Sequence, residues 1–87
     1  MSVANAEVAR AIDALLGARS AGASICPSEV ARRLWPDHWR AQMATVREVA
    51  TAQMQAGLLL ITQRGQAVDL SLPLRGAIRL SKPSGRS

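Results

Sequence analysis

Eighty-seven residues carry eleven basic side chains against six acidic ones, a net charge of +5 and a pI near 11.4. A chain this short makes one domain and buries only about 60 to 65% of its unfolded surface, which excludes a large multidomain machine and limits the core. The basic excess, ten arginines and a single lysine, makes polyanions the default partner class: DNA first, with RNA or an acidic protein as alternatives.

The first element is an amphipathic helix expected over residues 5–18. Val8, Ile12, Leu15 and Leu16 fall on one face at helical spacing. Asn5 is the candidate N-cap, Glu7 suits the positive start of the helix, and Gly17 with the glycine and serine that follow ends it. The surplus alanine of this helix also makes it the candidate for a dimer interface, although monomer or homodimer is not decided by the sequence.

A very short strand is expected at Ser24 and Ile25, pairing with a hairpin later in the chain. Cys26 then takes an N-cap position, with Pro27 as first helical residue and Glu29 at the third; alternatively, Ser28 caps a helix that starts one turn later. Val30, Ala31 and Leu34 form its inner face, and Arg32 and Arg33 project outward. Trp35 precedes Pro36 and is pushed out of the helical region, so this second helix ends near Leu34 or Trp35.

Asp37 is the expected cap of a third helix over residues 38–56, stopped by Gly57. Trp39, Met43, Val46 and Ala50 lie along its inner side, with Gln53 and Met54 flanking. Arg40, Ala44, Arg47, Glu48, Thr51 and Gln55 form the opposite arc. Residues 58–63 and 66–69 read as two strands around an Arg64-Gly65 turn. A loop held by Pro73 follows, then an alternating stretch over 77–80 with Ile78 and Leu80 inward and Arg79 outward, expected as a last strand that closes the small sheet. Residues 1–80 form the domain, and the polar, basic stretch 81–87 reads as a disordered tail.

The order α-β-α-α-β-β is that of a winged helix-turn-helix, an α+β, mainly α fold with a small antiparallel sheet. Ser24 through Arg32, the Trp39-Arg40, Met43 and Val46-Arg47 positions, the Ile61-Thr62-Gln63-Arg64-Gly65 string with Val68-Asp69, and Arg75 through Leu80 resemble an uncharacterised family of small bacterial proteins, domain of unknown function 3253. The resemblance covers roughly residues 8–80. It implies a winged-helix-like fold and a bacterial cytoplasmic setting, and no established activity. Leu70 and Ala77 stand where that family usually has proline.

For such a fold the nucleic-acid reading places the third helix in a major groove, with Arg40, Arg47, Thr51 and Gln55 toward the bases and backbone. Arg64 and Gln66 at the wing tip reach the backbone or the neighbouring groove, and Arg32 and Arg33 hold phosphates. The competing account leaves Arg40 and Arg47 solvated or paired with Asp37 and Glu48, in a module that docks an acidic protein.

Catalysis and cofactors are not expected. His38 is the single histidine, Cys26 the single cysteine, and the six acids are scattered, so neither a catalytic triad nor a metal ligand set is written in the chain. Glycine-rich phosphate loops are missing from any strand-loop-helix context. Cys26 excludes an internal disulfide and fits a reducing cytoplasm, and the start of the chain lacks a signal-peptide pattern.

Overall fold

The computed structural model describes residues 3–20 and 22–83. Three helices pack over one face of a small antiparallel sheet: α1 (Val3–Gly17), β1 (Ser24–Ile25), α2 (Pro27–Leu34), a 3₁₀ turn (Trp39–Gln42), α3 (Met43–Gln55), β2 (Leu60–Gln63), β3 (Gln66–Ala67) and β4 (Arg79–Ser81). This is the expected α+β, winged-helix-like order, with β4 as the closing strand expected from the alternation over residues 77–80.

The helix ends explain where each element begins. α1 already runs from Val3, so Asn5 sits inside its first turn and does not cap it. At α2 the expected cap forms and the Ser28 alternative falls away. Cys26 is extended at the N-cap, Pro27 opens the helix, and the Glu29 carboxylate accepts the Cys26 N–H at 2.8 Å. The second Glu29 oxygen takes the Arg19 guanidinium at 2.6 Å.

The third helix departs from its expected form. Asp37 makes no capping bond, and residues 39–42 wind as a 3₁₀ turn before the α-helix proper starts at Met43. Its inner face is Val46, Val49, Ala50 and Gln53, so Val49 joins the core and Gln53 lies inside, where it was expected on the flank. The helix ends as expected at Gly57, whose φ is +78°. Leu58 N–H bonds Gln53 O at 2.8 Å and Gly57 N–H bonds Met54 O at 3.0 Å, the paired bonds of a Schellman stop.

Strand order in the sheet is β1-β4-β2-β3. β1 therefore pairs with β4, which lies between it and the β2–β3 hairpin. Ile25, Leu80 and Ile61 stand in register across three strands, and all three are fully buried. They meet Val8, Ile12 and Leu16 of α1, Val30 and Ala31 of α2, and the inner face of α3 in one core. Ser81, expected in a disordered tail, is the last residue of β4 and pairs with both Ser24 and Leu60. Of that tail, residues 84–87 lie outside the described residues.

Between Gln63 and Gln66 the chain turns in two residues, Arg64 at φ +54° and Gly65 at φ +80°. Positive φ at both positions is the demand of a type I′ hairpin, whose twist matches the flanking strands. β3 is only two residues long, and the fuller partner of β2 is β4. The wing is thus wider than a simple hairpin: it includes the loop over residues 68–78 that returns the chain to the sheet.

Candidate nucleic-acid interface

The eight candidate residues fall into separate clusters. Arg32, exposed on α2, and Arg40, exposed on the 3₁₀ turn, both lie over Trp39, their guanidinium carbons 4.3 and 4.4 Å from the ring centre. Two cations on one indole leave little of the ring for stacking against a base; Trp39 serves to hold the arginines, and its half-buried edge packs against the core. Arg33, the next residue, diverges from Arg32 and borders a shallow hollow with Glu7 and Arg10 of α1.

Arg47 and Thr51 are engaged inside the protein. Arg47 Nη2 donates to the Gly76 carbonyl at 2.7 Å, and the Thr51 hydroxyl donates to the Arg47 carbonyl at 2.9 Å. Leu70, Leu72 and Leu74 of the wing loop face Ala44, Arg47, Glu48 and Thr51 across a hollow of about 370 Å³. The middle of α3 is consequently overhung by the loop. Gln55, at the last turn, stays exposed.

The loop is clasped from a second side. Gln63 Nε2 on β2 donates to Arg75 O and, at 3.2 Å, to Ala77 O. Gly76, between those carbonyls, has φ +75°, and a Cβ there would meet Gln63 Nε2 at 3.4 Å. A side chain at Gly76 would strain the backbone at the point where α3 and β2 both grip it.

Arg64 and Gln66 come together with residues that the sequence had not marked. A groove of about 800 Å³ on the wing is lined by Gln63, Arg64, Gln66, Arg75, Gly76, Ala77 and Arg79, with no acidic side chain among them. Arg79 reaches back to β1, donating to Ser24 Oγ at 2.8 Å, Ser24 O at 3.0 Å and Cys26 Sγ at 2.7 Å. Arg64 and Arg75 are exposed. The alternation over residues 77–80 had already turned Arg79 outward; Arg75 left no such signal.

Among the described residues, Arg19–Glu29 is the one ion pair, so neither Arg40 with Asp37 nor Arg47 with Glu48 pairs as the competing account expected. The Glu29 carboxyl is held below its ordinary value of 4.5 by the Cys26 amide and, less strongly, by Arg19. Asp69 is likewise lowered, by the Ser71 hydroxyl and amide at 2.7 and 2.9 Å. Neither acid borders the wing groove. Among the described residues no helix is long and apolar enough to cross a membrane.

No curated protein matches the chain. A family model does, over residues 5–83, and the chain belongs to the family described as "Protein of unknown function (DUF3253)".

Proposed function

We propose that this chain is a nucleic-acid-binding protein, with double-stranded DNA as the ligand and the wing as the principal contact. The observation that carries the reading is the acid-free groove in which Arg64, Arg75 and Arg79 converge with Gln63 and Gln66. Guanidinium groups suit phosphate oxygens because their fork presents paired donors, and amides complete the contact without charge. Arg79 acts chiefly to tie the groove floor to β1, leaving the exposed Arg64 and Arg75 as the phosphate contacts. Arg32 and Arg40, presented by Trp39, and Arg33 on α2 extend the basic surface to the helices.

In this reading α3 contributes differently from a plain recognition helix. Entry of its middle turns into a major groove requires the wing loop to move and the Arg47–Gly76 bond to break. With the loop in place, Arg40 and Gln55 are the candidates left at the two ends of this segment. The protein is a binder and not a catalyst, and its lone thiol suits a cytoplasmic location.

Fluorescence anisotropy on a labelled random duplex tests the proposal. The chain should bind at low salt, and Arg64→Glu with Arg75→Glu should abolish binding while leaving the circular dichroism spectrum intact. Absence of binding at low salt, or normal binding by the doubly reversed chain, overturns it. Competition with structured RNA in the same assay separates the two nucleic acids.

One observation favours a second reading, a module that docks an acidic protein. Leu72 is 62% exposed at the rim of the hollow over α3. Under that reading Leu72→Ser abolishes capture of an acidic partner, and duplex binding is weak and indifferent to Arg64 and Arg75.

A further inference from the structure

α1 is bordered by two hollows of opposite charge. On its α3 side, a groove of about 430 Å³ has Ala9 and Asp13 of α1, Glu48 and Ala52 of α3, and Leu58 among its walls. The charged residues of this groove are both acidic, in a chain whose net charge is +5. Leu58 is 63% exposed there, because the Schellman turn carries it out from the core. On the α2 side, a hollow of about 280 Å³ is lined by Glu7, Arg10, Ala11, Ala14, Arg33 and Leu34. Two arginines against one glutamate make it basic, and two alanines and a half-buried leucine give it an apolar lining.

The two hollows cannot meet within one chain. At 3.6 residues per turn, the positions of Ala9 and Asp13 and those of Glu7, Arg10, Ala11 and Ala14 centre on well-separated arcs of α1, roughly 130 to 150° apart. Arg10 and Asp13 are neighbours at i, i+3, yet they line different hollows. Among the described residues the one ion pair is Arg19–Glu29, so Arg10, Arg33, Asp13 and Glu48 all lack an ionic partner.

An exposed leucine flanked by carboxylates complements an alanine-lined hollow flanked by guanidinium groups, and a second copy of the chain presents that hollow. We propose that the chain associates with itself head to tail, Leu58 of one copy seated against Ala11, Ala14 and Leu34 of the next. Asp13 and Glu48 then lie opposite Arg10 and Arg33. The contact joins two different faces, so it is heterologous, and each added copy leaves one face of either kind open to another. A symmetric pairing through the acidic groove alone would set four carboxylates together with no cation between them, a like-charge arrangement that costs affinity. None of the residues lining the wing groove lines either hollow, so the association is independent of nucleic-acid binding.

The test is a concentration series of the ¹⁵N-labelled full chain up to about 1 mM, without nucleic acid, with sedimentation measured alongside. Salt near 0.1 M screens the net repulsion between copies beyond about 10 Å and spares charges in contact. Shifts should move together at residues of both hollows, with an apparent Kd on the order of 1 mM or tighter. The weight-average mass should rise past that of a dimer. Arg33→Glu and Glu48→Arg, at exposed positions on separate helices, should each weaken association about tenfold or more. Mixing the two variants, or combining both substitutions in one chain, should restore it, because acid again faces base. Leu58→Ser should weaken it with no change of charge. A chain that stays monomeric at the highest concentration overturns the proposal, as does a mass that levels at a dimer. Shifts confined to one hollow, or a mixture that associates no better than its parts, also overturn it.

Discussion

Arg64 and Arg47 show how two similar side chains on one small surface do opposite work. Arg64 occupies a left-handed position that glycine or asparagine fills with less strain. Arg64→Asn should therefore raise stability by about 0.5 to 1 kcal/mol in urea denaturation, and at the same time weaken duplex binding by removing one phosphate contact. A variant that gains stability and keeps full affinity would take Arg64 out of the interface. Arg47 is the reverse case. Its bond to Gly76 holds the wing loop, so Arg47→Ala should cost about 1 kcal/mol and speed amide exchange over residues 74–77. Its effect on the salt dependence of binding should be negligible, whereas Arg75→Ala should lower that slope by about 0.9.

At the level of elements, α2 and β4 decide stability. The Glu29 carboxylate closes the first turn of α2 and pairs with Arg19, and both contacts favour its charged form. Its folded pKa lies below its ordinary value of 4.5, so its contribution is complete above that pH and is lost as pH falls through the lowered value. The melting temperature should drop on acidification below pH 4.5, and Glu29→Gln should flatten part of that drop. Leu80, fully buried between Ile25 and Ile61, anchors β4, an inner strand of the sheet. Leu80→Ala should cost about 2 to 5 kcal/mol and lower the melting temperature by roughly 10 °C or more. The elements that could be read from the chain beforehand were those with local causes: the Cys26-Pro27-Ser28-Glu29 start of α2, the Gly57 stop of α3, the Arg64-Gly65 turn, and the inward Ile78 and Leu80. The ones that could not were set by distant contacts. Nothing near Arg47 indicates that Gly76, 29 residues on, will take its guanidinium, and no periodicity announces that a loop of leucines will overhang α3. The 3₁₀ winding of residues 39–42 is equally hidden, because Trp39, Met43 and Val46 fit helical spacing in either form. Gln53 reads as a flank residue, since a glutamine with an unpartnered oxygen is a poor choice for an interior.

For the whole molecule, the count of available arginines sets how binding responds to salt. Arg47 and Arg79 are committed to the fold and Arg19 to Glu29. If Arg64, Arg75, Arg40 and Arg32 or Arg33 neutralise about four phosphates, log K against log salt should fall with a slope of roughly −3.5. Anisotropy titrations across a salt series measure it directly; a slope near zero would leave the acidic-protein reading as the better one.

β4, one of the two inner strands of the sheet, is the last of the four to be made. Until a ribosome has added Arg79, Leu80 and Ser81, Ile25 and Ile61 lack the strand that stands between them, and β1 remains unjoined to the β2–β3 hairpin. Helices can form during synthesis, but the sheet can only zip shut after translation has passed that point. A chain interrupted a few codons early would thus emerge with three sticky helices and an unclosed sheet, a natural target for chaperones and proteases.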